Sequence, residues 1–208
     1  MREVLDPHAI LERMGVPPDA FSGQVAFITG AAQGIGEAVA RLLASRGARV
    51  AIVDQAPFGQ QIAAEICSAG GVGTFHRCDV ADEVAFVDVI DVVEATHGPI
   101  DVLINGAVVL RTAPLAELSL ADWDRAVSVN ARAAFVSIQR VLPGMVARRR
   151  GAIVNLVSLE TVPHGAVQGP SKAALRSLTL TVASELKPGD GVSAFCVLPG
   201  VEIGRAHV

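Results

Sequence analysis

Three glycines, Gly30, Gly34 and Gly36, stand in the run Thr29-Gly30-Ala31-Ala32-Gln33-Gly34-Ile35-Gly36, directly after an apolar stretch and directly before an amphipathic one. That spacing suits a sharp strand-to-helix turn whose backbone approaches a diphosphate. The N–H groups and positive dipole end at the start of the helix then face the phosphates. Asp54, eighteen residues after Gly36, closes the next apolar run. A carboxylate there accepts hydrogen bonds from both hydroxyls of an adenosine ribose and repels a 2′-phosphate. Gln33 is neutral, and no arginine or lysine follows Asp54 closely, so NAD is the expected cofactor ahead of NADP. Taken singly, the glycines also suit any tight turn, and Asp54 also suits a turn at a strand end.

These residues need a frame, and the apolar periodicity supplies one. Short apolar runs at 25–29, 49–53, 72–76, 100–105, 152–157 and 192–197 read as strands. Amphipathic segments at 34–46, 60–69, 82–97 and 171–186, and a long one opened by Ser119 with Asp122 in a capping-box position, read as helices. Strands alternating with helices imply parallel pairing through right-handed crossovers. The expected fold is α/β, a doubly wound parallel sheet of the Rossmann type with strand order 3-2-1-4-5-6. One domain is expected at 23–201. It follows an extension at 1–22, in which Asp6 and Pro7 open a short helix, Ile10, Leu11 and Met14 form its apolar face, and Gly15 closes it.

Further residues fall at fixed places on this frame: Asp79-Val80 after the third strand, Asn105-Gly106-Ala107 after the fourth, Asn130 in the long helix, Ser158 after the fifth strand, Ser171-Lys172 opening a helix, and Pro199-Gly200 after the sixth strand. In this order, and over about residues 22–200, the set resembles the short-chain dehydrogenase/reductase family. The resemblance implies that Gly30, Gln33, Gly34, Ile35 and Gly36 border the cofactor diphosphate, that Asp79 hydrogen-bonds the adenine beside Val80, and that Asn105, Gly106 and Ala107 line the cofactor through their backbone. It also implies that Asn130 positions Lys172 through a water, that Ser158 orients the substrate carbonyl or hydroxyl, that Lys172 holds the nicotinamide ribose, and that Pro199-Gly200 borders the nicotinamide. The implied substrate is a small alcohol or carbonyl compound, and the implied parent protein is a homo-oligomer. Within the family, Asp54-Gln55-Ala56, Val109-Leu110-Arg111 and Ser171-Lys172-Ala173-Ala174-Leu175 are similar to the 2,3-dihydro-2,3-dihydroxybenzoate dehydrogenases. Each residue also has a local alternative: Asn130 and Ser158 as backbone partners, Lys172 as a solvated helix residue.

The pattern breaks at the proton carrier. Four residues before Lys172, where the family has tyrosine, stands Gln168, and the chain has no tyrosine at all. A phenol beside an ammonium passes a proton, which is worth about 10²–10⁴ in rate; a glutamine amide hydrogen-bonds but carries no such proton. Gly169-Pro170 suggests a helix starting at or near Pro170, leaving Gln168 outside it. The ten residues from Ser158 to Gln168 are about three fewer than the family's usual gap. Val108 would crowd the cofactor-side backbone if its φ must be positive. His164, in the shortened loop, is the nearest alternative proton carrier, and reads more simply as a surface histidine. The expected activity is therefore an impaired oxidoreductase, with a non-catalytic dinucleotide binder or an inactive fragment as alternatives.

Composition bounds the rest. A formal net charge of −4 gives no electrostatic reason to seek nucleic acid or anionic membrane. Arg148-Arg149-Arg150, the only basic cluster, reads as a solvated helix end. No run approaches a membrane span, and no metal site is expected. Cys67, Cys78 and Cys196 are odd in number and widely spaced, as small core residues of a reducing, cytoplasmic compartment would be. Residues 202–208 fit no element of the family and match one reading frame of a sequencing adapter, so a non-native tail on a truncated chain is expected. A seventh strand would then be missing, with the sixth left as an exposed edge and poor solubility as the consequence.

Overall fold

The computed structural model describes residues 7–158 and 167–199. Its six strands, β1 (Val25–Thr29), β2 (Arg49–Asp54), β3 (Val72–Arg77), β4 (Val102–Asn105), β5 (Gly151–Leu156) and β6 (Val192–Val197), form one sheet in the order β3-β2-β1-β4-β5-β6. Every pairing is parallel. The order reverses between β1 and β4, so the carboxyl ends of these two strands open a crevice at the switch point, where ligands of such sheets bind.

The strands at the centre are apolar throughout because both faces are covered. Ala26 and Ile28 pack with Leu43, Ile62 and Ile66 on one side, beneath α2 (Gly34–Ser45) and α3 (Gly59–Ser68). Val25 and Phe27 pack with Phe86, Ile90 and Met145 on the other, beneath α4 (Glu83–His97) and α6 (Ala133–Arg148). The rings of Phe27 and Phe86 lie 6.1 Å apart at a tilt, the offset arrangement favoured by aromatic quadrupoles.

Helix α5 (Leu120–Val127) begins with the anticipated capping box: Ser119 Oγ accepts from the Asp122 N–H, and the Asp122 carboxylate accepts from the Ser119 N–H. Helices α5 and α6 are joined without a break by a π-helical turn, Ser128–Arg132. The arginine run does end α6, with Arg149 in the left-handed region at φ 52°. Its three residues are exposed, as expected, while Arg148 also donates to the Ile100 carbonyl and Arg150 pairs with Asp101.

Helix α7 (Gln168–Glu185) departs from expectation at its start. Gln168 is its first residue, so the helix begins earlier than Pro170. Pro170 falls at the third helical position, inside the first turn, where backbone N–H groups have no intrahelical acceptor and a missing one costs nothing.

At the amino end, α1 (Pro7–Arg13) forms, and Gly15 follows it at φ +70°. Its expected apolar face is only partly covered: Leu11 is half-buried while Ile10 and Met14 are exposed, and Asp6 lies outside the described residues. Phe21 is the residue that ties this segment to the domain, packing on the α2 side of the core and donating its N–H to the Arg46 carbonyl. Among the described residues β6 is an edge strand, with Phe195 and Val197 exposed. The cysteines are not uniformly buried, since Cys67 faces solvent. No described helix is long and apolar enough to cross a membrane.

Candidate dinucleotide site

The crevice is floored by the glycine-rich turn, and the reason for glycine is steric. A Cβ on Gly30, which has φ +69°, would lie 2.7 Å from the Ala107 nitrogen and the Gly106 carbonyl. A Cβ on Gly36 would strike the Gly30 carbonyl oxygen. The turn, the loop after β4 and the start of α2 are thus pressed together at backbone distance. Gly34, by contrast, has φ +60° and open space where a Cβ would point. Gln33 caps α2 through its backbone alone and is exposed, while Ile35 is half-buried. The result is a helix start whose first N–H groups have no intrahelical acceptor and which has open space beside Gly34, a cradle that suits a diphosphate.

Thr29 locks this floor from below. Its buried hydroxyl accepts from the N–H groups of Gly106 at 3.1 Å and Ala107 at 3.2 Å. Val108 does not crowd the crevice: it is exposed, and Arg149 is the only non-glycine residue with positive φ among those described.

The side of the crevice where an adenosine is expected is built by the ends of β2 and β3. Asp54 accepts from the Ala32 N–H at 3.0 Å with one oxygen and from the Ala56 N–H at 2.9 Å with the other. Its carboxylate is therefore fixed beside the glycine turn. Asp79 accepts from the Ala81 N–H at 3.0 Å and from Arg125 at 2.8 Å. Burial alone would raise its pKa, but these two donors outweigh it and hold the carboxyl below its usual value. Val80 is buried behind it. Cys78 is also buried, which together with the charges of Asp79 and Asp82 pushes its thiol up to about 11, so it stays protonated and inert. A cavity of about 470 Å³ opens here among Gln55, Arg77, Cys78 and Asp79.

The Asn105 side chain has a task beyond the backbone lining expected of its segment. Its side chain is the middle of a buried ladder under the crevice. Ser137 donates to Asn105, Asn105 to Asn155 and Asn155 to Thr179, at 2.9, 2.8 and 2.8 Å. Four polar side chains from β4, β5, α6 and α7 thus satisfy one another inside an apolar core, where any one left alone would be costly.

The remaining residues converge on the first turns of α7. Asn130, in the π-helical turn, accepts from the Val109 N–H at 2.8 Å and donates to Ser171 Oγ at 2.9 Å. It therefore ties the loop after β4 to α7. Single π-turns often mark functional positions because they re-aim one side chain. Lys172 is buried and donates to the Leu156 carbonyl at 2.7 Å. Desolvation of the ammonium pulls its pKa down to about 8. Lys172 is therefore not the solvated residue of the local alternative.

Gln168 lies one turn before Lys172 on the same helix, spacing that puts the two on a shared face. The expectation that Gln168 stands outside the helix is thereby corrected. Ser158 follows β5 and is half-buried, and Pro199 is half-buried beyond β6. Gly200, His164 and the loop between Ser158 and α7 lie outside the described residues.

Sequence reasoning missed Arg77, Arg125 and the buried ladder, and gave Ser171 no role of its own. Arg77 was within reach of it: Asp54 and Arg77 each end their strand, and the parallel register sets them side by side. Arg125 carries no such signal, since only the packing of α5 brings it to Asp79.

Comparison with known proteins agrees with this geometry. A family model described as short chain dehydrogenase matches residues 24–202. The D-threitol dehydrogenase of Mycolicibacterium smegmatis is 43% identical over 137 residues, covering 65% of this chain and 53% of that protein. The 2,3-dihydro-2,3-dihydroxybenzoate dehydrogenase of Bacillus subtilis is 40% identical over 168 residues, covering 79% and 64%. The chain thus spans between half and two-thirds of the length of these curated relatives. Among solved structures, a metagenomic short-chain oxidoreductase in complex with NADP superposes with a TM-score of 0.82 at 37% identity, covering 88% of this chain and 84% of that one. A putative NAD(P)-dependent gluconate 5-dehydrogenase from Beutenbergia cavernae, with NADP bound at low occupancy, gives 0.85 at 32% identity, covering 91% and 76%. With a sheet in the family's order, its glycine turn in place and a model match over most of its length, this chain belongs to the short-chain dehydrogenase family.

Proposed function

We propose that this chain binds NAD across the crevice and belongs to a protein of alcohol–carbonyl oxidoreductase descent whose proton-transfer position has been lost. The observation that carries the reading is the pairing of Gln168 with Lys172. The lysine stands buried at its expected post, with a lowered pKa, while the residue one turn earlier cannot pass a proton.

The binding half of the reading rests on the glycine cradle and on Asp54, whose carboxylate favours a free ribose over a 2′-phosphate. The bound dinucleotide would supply the hydride donor or acceptor. Around it, the chain's own residues have separate tasks. The α2 N-terminus holds the diphosphate. Asp54 takes the ribose hydroxyls and Asp79 the adenine. Lys172 offers its ammonium to the second ribose, Pro199-Gly200 borders the nicotinamide, and Ser158 orients a small alcohol or carbonyl compound. Gln168 donates an amide hydrogen bond where a proton is required, so turnover is slow or absent. The domain at 23–201, the tail at 202–208, a homo-oligomeric parent and a cytoplasmic location belong to the same reading.

Two measurements test it. NADH raises the melting temperature of the chain, because a ligand stabilises the state it binds. Gln168→Tyr brings NAD reduction with a panel of sugar alcohols and cyclic diols above the wild-type rate. Thermal protection without any gain from Gln168→Tyr would locate the defect elsewhere and overturn the assignment to Gln168. Absence of protection would overturn the binding reading itself.

A further inference from the structure

Asp79 lines the cavity at the ends of β2 and β3, but its carboxylate is held from α5, which does not line that cavity. Asp79 opens a tight turn: the Asp82 N–H donates to its carbonyl at 3.0 Å, and Asp82 then caps α4. Oδ1 of Asp79 accepts from the Ala81 N–H at 3.0 Å, and Oδ2 accepts from Arg125 Nη1 at 2.8 Å. Arg125 is half-buried. At the end of the π-helical turn, Arg132 Nη2 donates to the Ala81 carbonyl at 2.9 Å. Two cations on one continuous helical segment thus hold the same turn, one at its carboxylate and one at its backbone. A carboxylate has about four lone-pair positions. These bonds use two, one on each oxygen, so each Asp79 oxygen keeps a position for a ligand.

We propose that Arg125 is a positioning residue for base recognition: acting through Asp79, it presents an aligned acceptor to the exocyclic amino group of an adenine. This role rests on the dinucleotide reading above and deepens it. Burial works against the charge on Asp79, while Arg125 supports it by a hydrogen bond and by its own charge, so the acceptor stays ionised as well as aligned. Hypoxanthine carries a carbonyl in place of the amino group and sets an oxygen against the carboxylate, leaving both acceptors without a donor. Arg125 touches no ligand in this scheme; its effect appears only in how well the base is told apart.

The test is titration of the intact chain with NADH and with its reduced hypoxanthine counterpart, read by nicotinamide fluorescence. Wild type prefers NADH by about tenfold. Arg125→Gln removes most of that preference by weakening NADH, and leaves the hypoxanthine form within about twofold of its wild-type affinity. Arg125→Lys keeps an intermediate preference, since an ammonium supplies the charge without the planar fork. In an Asp79→Ala background, Arg125→Gln has no further effect on either ligand, because the carboxylate it acts through is gone. Arg132 and the Asp82 N–H still hold the turn in Arg125→Gln, so its melting curve should lie close to wild type. A merely structural or general charge role would weaken both dinucleotides equally, and that result overturns the proposal. So does a wild type without preference, an Arg125→Gln chain that keeps it, or a further loss in the Asp79→Ala background. A chain that binds neither dinucleotide overturns the reading beneath it.

Discussion

The two halves of the crevice have fared differently. On the side proposed to take the diphosphate and adenosine, the glycine turn is pressed to backbone contact at Gly30 and Gly36, and both carboxylates are fixed, Asp54 by two N–H groups and Asp79 by a backbone N–H and Arg125. On the chemical side the supports remain, with Asn130 and Ser171 bonded and Lys172 buried, but the side chain they serve is Gln168. The difference teaches that a binding site and a reaction site can decouple on one fold. Backbone geometry dictates the first, since a Cβ at Gly30 would not fit. A single exchangeable side chain decides the second.

That contrast can be broken or sharpened at several points. The largest effect belongs to Gln168→Tyr, expected to raise turnover by about 10²-fold or more if the lysine and its surroundings are otherwise competent; steady-state absorbance at the nicotinamide band reads it. Next is Asp54→Ala, which removes both the ribose acceptor and the tie to the Ala32 N–H. NADH binding should weaken by about tenfold while NADPH improves relative to it, as measured by fluorescence titration. Asn105→Ala strikes the floor common to both halves. It strands an Asn155 oxygen in the core, while the Ser137 hydroxyl keeps the Ala134 carbonyl as its acceptor, for a loss of about 2 kcal/mol in a denaturant melt.

Smaller effects follow from titration. Burial lowers the Lys172 pKa to about 8 from the ordinary 10.5. Between those values the unfolded chain carries the extra proton, so stability rises with pH across that window. Melting temperatures from pH 7.5 to 10 should climb for wild type relative to Lys172→Met, in which this contribution is absent. At the far edge of the sheet, the hydroxyl of Thr74 contacts both His76 and His97 at 3.2 Å. Desolvation, joined for His76 by His97 and for His97 by Arg49, lowers both pKa values below the usual 6.5. The unfolded chain takes up these protons first as pH falls through that value, so stability declines there, and Thr74→Val with both histidines changed to Gln should flatten the decline.

Much of this was legible in the residues themselves. The strand pattern was readable because central parallel strands are apolar on both faces, and Ser119 with Asp122 announced a helix start that the structure reproduces. The glycine turn was legible because only glycine tolerates its contacts. Less was legible where tertiary packing decides. Pro170 suggested a helix boundary, yet the first turn accepts proline, and Gln168 joined the helix. The ladder through the Asn105 side chain was not legible, since its partners Ser137 and Asn155 come from two distant segments that no local pattern links. Arg77 lay far from Asp54 in sequence and became its neighbour only through strand register.

The most direct measurement is calorimetric titration of the folded chain with NADH. A saturable heat at one site per chain, lost in Gly30→Val although that variant retains its secondary structure, is the predicted result. A flat titration with wild-type protein that melts cooperatively would contradict it, since the cradle at the head of α2 would then hold no dinucleotide.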